Sequence, residues 1–515
     1  MTIFAKLYLK ISHLARAKKY KTMKKIILFL LCVMASIHCA IAQTNSQTSF
    51  CGTPPMTRAV QERLHPNAVQ PYLRGSGTTI YVPLTLHVLG TDGGGGYAKK
   101  TLVYEALCTL QGDFAPYDIK FYIKDSILYH NRTAWYDHAD FTGGADMVQN
   151  TQVPNTCNTY FVANPAGNCG YAWYGGSIVL GNNCASKDSH TWAHEAGHYF
   201  SLPHTFVGWE GNTYSGGPAP AFLPSGEEVE LVDRTNCTTA ADQFCDTPTD
   251  FINYRWNCDA NGESSPLQDP NGTTFKANGT YFMSYSNDGC MNKFSLEQAA
   301  AMRGYINSNL PTLLSHPVPN YAMPSNVSGL LPLDSTINIP VAGVSFTWTK
   351  SINATKYLFE LSRTSIFANS STQEFTATDT VLTVNNLYQN RKYYWRVRPL
   401  NEQYTCATTS PVNRFYTGFL VSTEAAVSPK IDFTVQPTLL SQGAPILLQF
   451  SSDTDLAKAQ ISLLDATGKT VFSTIINDSI NDFVRIPTTN CSAGVYFVQV
   501  QGASGAVSAR RVLVY

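Results

Sequence analysis

The spacing of apolar side chains divides the chain into a mixed helical and extended part and a later part that is extended throughout. Alternating β-branched residues predict a strand over 79–89, and helical spacing predicts a helix over 101–114. Shorter apolar runs predict strands over 119–127 and 159–162. The run 176–181 is expected to form the edge of the resulting sheet, with an ordinary core strand as the alternative.

Helical periodicity disappears beyond the proline-rich stretch 316–324. Short alternating strands follow at regular intervals, at 346–348, 357–361, 381–384 and 393–398. They predict an all-β sandwich over 325–418, which resembles a fibronectin type III module. Its aromatic residues are expected to form a core, and its role is expected to be spacing or docking.

A second all-β unit is predicted over 430–515 from strands around 463–465, 493–500 and 510–515. These strings resemble the C-terminal sorting domain of proteins that leave by the type IX secretion system, and a generic second sandwich is the alternative. The resemblance implies that the secretion machinery is a partner. It also implies a protein that is extracellular or attached to the outer cell surface.

A secretory signal is predicted at the N-terminus, where basic residues at 23–25 precede an apolar stretch over 26–37 and small residues at 40–42. The apolar stretch is shorter than the roughly 20 residues that a membrane span needs. We assign residues 1–42 to an extended N-terminus and signal peptide. An exported chain without a transmembrane segment after signal removal is expected.

Charge and cysteine content restrict the remaining functions. The chain has 36 basic and 36 acidic residues and no basic run after the signal, so it lacks the electrostatic footprint of nucleic-acid binding. Of 13 cysteines, Cys32 and Cys39 leave with the signal. An odd number remains, which in an oxidising compartment predicts disulfides and one thiol with another role. Asp242, Asp246 and Asp250 are candidate ligands of a structural Ca²⁺, with ordinary surface carboxylates as the alternative.

One segment in the middle of the chain has the residue spacing of a metal-dependent hydrolase. His194 and His198 are four residues apart, so a helix presents both imidazoles on one face. Glu195 begins beside that face, where it can act as a general base without being a ligand. His204 is the expected third ligand, because Pro203 ends the helix and lets the chain turn back. Zn²⁺ is the expected metal, since three neutral imidazoles with an open fourth position suit it.

This segment resembles the extended signature of the metzincins. Ser201 stands where that family has a turn glycine, and a serine takes a positive φ only at a cost of about 1 kcal/mol or more. The resemblance makes Met283 the structural methionine of the turn beneath the metal and implies that Tyr285 steadies the oxyanion. It implies an α/β (α+β) catalytic domain with a twisted mixed sheet and a zinc-binding helix. In this family an edge strand pairs with an extended substrate.

The resemblance narrows to the pappalysin family of metzincins on four strings, at 202–206, 230–237, 244–248 and 290–298. It implies a secreted endopeptidase that acts on proteins or peptides. Some pappalysins cut beside basic residues by way of an acidic residue close to the cysteine after the methionine turn. Here Gly289 precedes Cys290 and Asp288 lies one position further back, which leaves a basic preference open.

The resemblance also extends to cysteines. Cys258 and Cys290 match the family bridge that tethers the methionine turn. Cys51 matches a propeptide cysteine that caps the zinc as a thiolate, with an unpaired cysteine in a loose leader as the alternative. A cap of this kind makes residues 43–74 an inhibitory pro-segment of a zymogen and leaves 75–316 as the catalytic domain.

Two further cysteines, Cys169 and Cys184, are expected to close the loop before the metal-binding helix. The sequence leaves open the pairing of Cys108, Cys157, Cys237 and Cys245.

The motifs predict a secreted zinc metalloendopeptidase in which a zinc-activated water attacks the peptide bond and Glu195 is the general base. One alternative is a surface adhesin or binding protein whose protease domain is degenerate. Another is a secreted metal-binding protein without turnover, which has no need of Glu195.

Overall fold

The computed structural model of the protein describes residues 49–57, 60–61, 77–418, 431–450, 456, 458–476, 483–502 and 507–515. The predicted signal peptide and most of the predicted pro-segment lie outside these residues. Two compact units are present, Met1–Gly418 and Phe419–Tyr515.

A seven-stranded mixed sheet carries the core of the first unit, and a separate two-stranded sheet of β5 and β7 lies in the same part of the chain. The first nine strands are β1 Ser49–Cys51, β2 Ile80–Gly90, β3 Ile119–Ile123, β4 Leu128–Asn131, β5 Asp137–His138, β6 Cys157–Val162, β7 Asn164–Pro165, β8 Asn168–Ala172 and β9 Ser177–Gly181. The sheet order is β1-β8-β9-β6-β2-β3, with β4 paired to the later part of β2. Strands β2 and β6 are buried along nearly their whole length, as expected for strands that have parallel neighbours on both sides.

The expectation that residues 176–181 form the sheet edge was wrong. Strand β9 pairs with β6 on one side and with β8 on the other, so it is a core strand. The outermost strand on this side is the short β1, which pairs in parallel with β8. The continuous apolar run of β9 reflects burial of all five of its residues.

Within residues 77–418, five α-helices and short 3₁₀ turns accompany this sheet. The helices are α1 Lys100–Phe114, α2 Thr133–Tyr136, α3 Phe141–Thr151, α4 Thr191–Tyr199 and α5 Leu296–Asn309. Helix α1 buries Val103, Leu107, Leu110 and Phe114, whose spacing lines one helical face. Helix α5 begins with a capping box, in which Ser295 and Gln298 satisfy each other's backbone N–H groups.

The long segment between α4 and α5 is mostly irregular and contains only two short strands, β10 Leu267–Gln268 and β11 Thr274–Phe275. Two disulfides, Cys237–Cys245 and Cys258–Cys290, cross-link it. Such links compensate for the few ladder hydrogen bonds that an irregular segment of this length makes.

A β-sandwich follows in the same unit and has its own aromatic core. Its strands are β12 Thr336–Ile339, β13 Val344–Thr347, β14 Lys356–Ser362, β15 Thr372–Ala377, β16 Val381–Val384, β17 Lys392–Leu400 and β18 Asn413–Thr417. They form a sheet of order β12-β18-β17-β14-β15 and a pair β13-β16. Phe346, Phe359, Trp395 and Phe415 fill the space between the two layers.

The sandwich is docked on helix α1. A disulfide joins Cys108 of α1 to Cys406 of the sandwich. The carboxylate of Glu374 accepts hydrogen bonds from the backbone N–H groups of Lys100 and Thr101, at 2.6 and 3.1 Å. A carboxylate there complements the positive end of the helix dipole, so a sandwich residue caps a helix of the preceding domain.

The second unit is a small two-sheet β structure. Its strands are β19 Phe433–Gln436, β20 Leu439–Leu440, β21 Ile446–Phe450, β22 Gln460–Asp465, β23 Thr470–Ile475, β24 Val484–Ile486, β25 Gly494–Gln501 and β26 Val507–Val514. The sheets have the orders β19-β21-β24 and β20-β26-β25-β22-β23. In the part of the chain that the structure describes, no helix combines the length and apolar character needed to cross a membrane.

Candidate metal centre

The helix that presents the histidines is buried throughout and ends abruptly. After α4 the N–H of Leu202 bonds the carbonyl of Gly197, and the N–H of Ser201 bonds that of His198, both at 2.9 Å. This pattern is a Schellman turn, and its left-handed position is Ser201, with φ of 80°. The serine therefore adopts the positive φ that the turn requires, and the chain folds back to bring His204 to the helix.

Three imidazoles converge beside this turn. The Nε2 atom of His198 lies 3.1 Å from that of His194 and 3.0 Å from that of His204. Each ring donates its Nδ1–H to a fixed acceptor: His194 to the Phe282 carbonyl at 2.6 Å, His198 to the Leu202 carbonyl at 2.8 Å, and His204 to Glu210. Because Nδ1 carries the proton, all three Nε2 atoms are left as acceptors.

Three acceptor lone pairs at this separation repel one another unless a cation lies between them, so the donor set fits a metal ion. Burial, together with repulsion from His204, lowers the pKa of His194 and His198 well below the usual value, which keeps both rings in the neutral form that ligands must have. The Sγ atom of Cys51 belongs to the same cluster. The four candidate ligand atoms all lie within 4.8 Å of one another.

The methionine turn lies directly under the helix. A Cβ on Gly197 would lie 2.4 Å from the Sδ atom of Met283, so the glycine makes room for the methionine. Met283 is fully buried, and its carbonyl accepts the N–H of Thr205 at 3.1 Å. Asp250 ties the two loops together, because its Oδ2 accepts hydrogen bonds from Thr205 at 2.7 Å and Ser284 at 3.1 Å.

Glu195 is fully buried beside the four candidate ligand residues, which are called the metal cluster from here on. Its Oε2 accepts a hydrogen bond from the Thr53 hydroxyl at 3.0 Å and faces the Cys51 thiol at 3.6 Å. Its Oε1 has no hydrogen-bond partner among the described residues. Burial raises the pKa of Glu195 to about 8, and the hydrogen bonds from Cys51 and Thr53 offset part of that rise. Gly170 provides the space for this carboxylate, since a Cβ there would lie 3.0 Å from Glu195 Cγ.

Tyr285 packs against the candidate ligand histidines. Its ring packs edge-on against His204 with centroids 4.9 Å apart and against Phe206 at 4.6 Å. Its hydroxyl donates to the carbonyl of Cys51 at 3.2 Å. The phenol therefore already binds a carbonyl oxygen next to the metal cluster.

The segment around Cys51 lies along strand β8. Ser49 and Cys51 pair with Asn168 and Gly170 of β8, and the N–H of Gly52 bonds the Gly170 carbonyl at 2.8 Å. The Thr53 hydroxyl accepts the N–H of Ala172 at 2.8 Å. Part of the predicted pro-segment thus occupies hydrogen-bonding groups of β8 that an extended ligand would otherwise use.

The disulfides agree with the two pairings that the sequence suggested. Cys258–Cys290 links the segment before the methionine turn to the segment after it, and Cys169–Cys184 closes the loop before α4. The pairings that the sequence left open are Cys237–Cys245 and Cys108–Cys406. Cys157 is buried and outside these bridges.

The three aspartates considered as calcium ligands have separate protein contacts. Asp242 accepts the hydroxyl of Thr247 at 2.9 Å and the N–H of Phe244 at 3.1 Å, whereas Asp250 binds the metal-site loops. The Oδ2 of Asp246 accepts the N–H of Glu297, at the start of helix α5. Among the described residues they do not form a three-carboxylate cluster of the kind that the histidines form with Cys51. A structural Ca²⁺ stays a prediction.

Several residues were not assigned to this site from the sequence, although Asp250 was named there as a candidate calcium ligand. Glu210, Asp250, Thr53 and Arg255 act through contacts that depend on how irregular loops fold back, which periodicity does not reveal. Glu210 is the nearest to a recognisable signal, because it lies six residues after His204, and its Oε1 is 2.9 Å from His204 Nδ1. A carboxylate behind a ligand histidine fixes the orientation of the ring.

Comparisons with known proteins agree with a metalloprotease. An extracellular metalloprotease of Podospora anserina is 28% identical over 190 residues, which cover 32% of this chain and 62% of the relative. An extracellular metalloprotease of Colletotrichum graminicola is 24% identical over 304 residues, covering 54% of this chain and 95% of the relative. The chain thus spans less than two thirds of the Podospora relative. These relatives support a metalloprotease function and therefore a metal cofactor.

The C-terminal part of the chain matches a known domain family. A family model described as a secretion system C-terminal sorting domain matches residues 445–514. Together with the extracellular relatives, this match confirms the expected location: the protein is secreted and is either released or held at the cell surface.

Solved fibronectin type III domains resemble part of the chain. FN3tt is 19% identical and covers 19% of this chain and 97% of its own, with a TM-score of 0.15. The fn3 domain of human collagen alpha-1(XX) chain is 19% identical and covers 22% of this chain and 97% of its own, with a TM-score of 0.15.

Proposed function

We propose that the protein is a secreted zinc metalloendopeptidase of the pappalysin-like metzincin type, produced as a zymogen that Cys51 keeps latent. The observation that carries the proposal is the convergence of three Nε2 acceptors on one point, with the carboxylate of Glu195 beside it. Three neutral imidazoles and an open fourth position suit zinc. Metalloproteases among the relatives support the same class of reaction.

In this proposal His194, His198 and His204 hold the zinc, and Glu210 orients His204 from behind. Zinc in such a site supplies Lewis acidity, which makes water a nucleophile near neutral pH and polarises the scissile carbonyl. Glu195 takes the proton of the attacking water through its Oε1 and passes it to the leaving amine.

Tyr285 and strand β8 bind the rest of the reacting peptide. The Tyr285 hydroxyl, which now donates to the Cys51 carbonyl, donates to the developing oxyanion when substrate replaces the pro-segment. The Ala172 N–H and the Gly170 carbonyl, now paired with Thr53 and Gly52, become available to an extended substrate backbone.

Two contacts of the pro-segment reach the site, and latency rests on the contact made by Cys51. The Cys51 sulfur occupies the ligand position that water must take, and the Thr53 hydroxyl holds Glu195 Oε2 at 3.0 Å. The first contact blocks the metal, whereas the second orients the carboxylate and leaves Oε1, the oxygen that takes the proton in this proposal, without a partner among the described residues. Removal of residues 43–74 frees both.

The test uses the full-length secreted chain, casein as substrate, and the variants Cys51→Ala and Cys51→Ala/Glu195→Gln. We expect the wild type to be nearly inactive until its pro-segment is cut, and Cys51→Ala to cleave casein without that step. The second replacement and 1,10-phenanthroline should each abolish cleavage, with zinc content measured by mass spectrometry. Cys157→Ala is the matched control, because it removes a buried cysteine that is outside the disulfides and the metal cluster.

A folded, zinc-loaded Cys51→Ala protein that cuts nothing would contradict the proposal. That outcome would favour the alternative in which the catalytic domain is degenerate and the protein serves as a surface adhesin or binding protein.

A further inference from the structure

Phe50, the residue before Cys51, is buried beside the metal cluster. The space that its ring occupies is called the pocket below. Phe50 is only 4% exposed. Its ring meets His194 edge-on with centroids 4.9 Å apart and meets Tyr285 edge-on at 5.4 Å. The guanidinium carbon of Arg255 lies 3.8 Å from the centre of the same ring. An aromatic side chain thus touches one candidate metal ligand, the candidate oxyanion donor and one cation.

The cation is held firmly in place. Arg255 donates to Asp288 Oδ2 at 2.7 Å and also to the carbonyl of Ser286. The other oxygen of Asp288 accepts the backbone N–H of His190 at 2.8 Å and lies 3.4 Å from the Ser189 hydroxyl. Both oxygens of this carboxylate are therefore occupied by protein donors.

This arrangement determines which charge the pocket presents to a ligand. A lysine or arginine in the place of Phe50 would meet the guanidinium of Arg255, and the single negative charge of Asp288 is already balanced by that guanidinium. An aromatic ring gains a cation–π contact and two edge-to-face contacts in the same place. The pocket wall thus favours aromatic and disfavours basic side chains.

The side chain of Phe50 indicates which substrate side chain fits the pocket, because the backbone of Phe50 lies where the backbone of a substrate would lie. Its neighbour Cys51 puts a sulfur among the histidine nitrogens, and the strand that contains both residues pairs with β8. A peptide that lies along β8 with its scissile carbonyl at the metal has one side chain next to the cluster, and this pocket is where that side chain fits.

We infer that Arg255 is a specificity-determining residue, and that the enzyme prefers substrates with a phenylalanine or tyrosine side chain adjoining the cleaved bond and rejects lysine and arginine there. The inference rests on the proposed peptidase function and names its substrate class. Replacing Arg255 by a neutral residue removes the cation that is paired with Asp288, which leaves the negative charge of this carboxylate unbalanced and reverses the preference toward basic side chains.

The first experiment maps cleavage sites in casein with full-length Cys51→Ala protein by mass spectrometry. We expect aromatic residues at one position next to the cut to be enriched about tenfold over lysine and arginine, in line with the cation–π and pocket contacts they gain. In Cys51→Ala/Arg255→Met the enrichment should shift to lysine and arginine. Lys293→Met is the matched control, since it removes another cation stacked on an aromatic ring, 4.7 Å from Tyr281, without facing Phe50.

The second experiment does not require catalysis. In the full-length Glu195→Gln protein, labelling of the Cys51 thiol by a disulfide reagent reports how often the pro-segment leaves the cleft. We expect Phe50→Lys to label about tenfold faster than Phe50→Tyr when Arg255 is present. The order should reverse in Arg255→Met, because the lysine then pairs with Asp288.

The outcomes separate the two proposals. Cleavage without aromatic enrichment, or equal labelling of the two Phe50 variants, would overturn the pocket assignment and leave the peptidase intact. Absence of cleavage by a folded, zinc-loaded Cys51→Ala protein would sink the peptidase proposal, and the labelling order would still decide what the pocket binds.

Discussion

Ser201 has a strained backbone conformation beside the candidate metal site. It sits at the left-handed position of the turn that follows helix α4, and it is fully buried. An L-residue in this conformation costs about 1 kcal/mol or more relative to glycine, and a β-branched residue costs more. The turn is nevertheless kept, because it places His204 within 3.0 Å of His198.

The effect of a substitution at Ser201 on stability should therefore depend on how easily the new residue adopts a positive φ. We expect Ser201→Gly to change the free energy of unfolding by less than about 1 kcal/mol, because the relief of strain offsets the greater entropy of the unfolded chain. Ser201→Val should destabilise the protein by about 2 kcal/mol and weaken zinc retention. Urea denaturation and zinc analysis of the two variants measure both effects, and equal behaviour of glycine and valine would show that the turn is not strained.

At the scale of elements, helix α4 and the methionine turn are packed so closely that one methyl group should disturb them. A Cβ on Gly197 would lie 2.4 Å from Met283 Sδ and 3.2 Å from Phe294. We expect Gly197→Ala to destabilise the protein by about 1–3 kcal/mol, the range for overpacking a core.

Gly304→Ala is the control for helix propensity. Gly304 lies on the exposed face of α5 with nothing within 4 Å of an added Cβ. Alanine there should stabilise the protein by roughly 0.5–1 kcal/mol. Opposite signs of the two changes in thermal denaturation would support the close packing, whereas stabilisation by both would contradict it.

Strand β2 contains a buried histidine that makes stability depend on pH. Burial lowers the pKa of His87 to about 4, outweighing its hydrogen bond to Asn158, and the neighbouring His130 lowers it further. The unfolded chain takes up a proton below its ordinary pKa of about 6.5, whereas the folded chain does so only below about 4. This contribution to stability is therefore complete above pH 6.5 and declines as the pH falls from 6.5 to 4, by up to about 3 kcal/mol.

His87→Gln should flatten this part of the pH profile. The glutamine is neutral at every pH, so the difference in unfolding free energy between variant and wild type should change by about 3 kcal/mol from pH 7 to pH 4. Urea denaturation at several pH values measures the difference. A difference that is constant with pH would assign the acid sensitivity to other groups.

The elements themselves were largely predictable. The strand at 79–89, the helix at 101–114 and the sandwich strands follow from periods that local burial imposes, and the structure has β2, α1 and β14 in those places. The position of β9 in the sheet was not predictable. A short buried strand has the same residue pattern whether one strand or two strands pair with it.

The site was predictable to a different extent for each residue. His194, Glu195 and His198 share one helix turn, so their proximity follows from helix geometry. Glu210, Asp250 and Arg255 reach the cluster through a long irregular segment. Their contacts depend on disulfides and loop hydrogen bonds that no short-range pattern encodes.

At the scale of the whole molecule, the sandwich stabilises the preceding domain, which contains the candidate metal site. It caps helix α1 through Glu374, adds the Arg398–Glu105 ion pair at 2.7 Å and forms the Cys108–Cys406 bridge. This helix packs on the sheet beside α4, so loosening the sandwich should reach the metal-binding helix.

Removing the bridge should therefore destabilise the first unit. We expect Cys108→Ala/Cys406→Ala to cost about 3–5 kcal/mol, as a disulfide that closes a loop of 298 residues constrains the unfolded chain strongly. Cys237→Ala/Cys245→Ala, which opens a loop of only 8 residues, is the matched control and should cost less. Denaturant midpoints measure both, and an equal loss in the two variants would contradict the constraint argument.

The same bridge imposes an order of events in time. Cys108 is made and exported long before Cys406, so it has to wait as a reduced thiol while nearer candidates such as Cys157 and Cys169 arrive first. Premature oxidation would join the wrong neighbours, and only thiol–disulfide exchange could undo it. We therefore expect correct pairing to need thiol–disulfide exchange after the first bridges form, and export through a strongly oxidising, isomerase-poor environment should yield chains with wrongly paired cysteines.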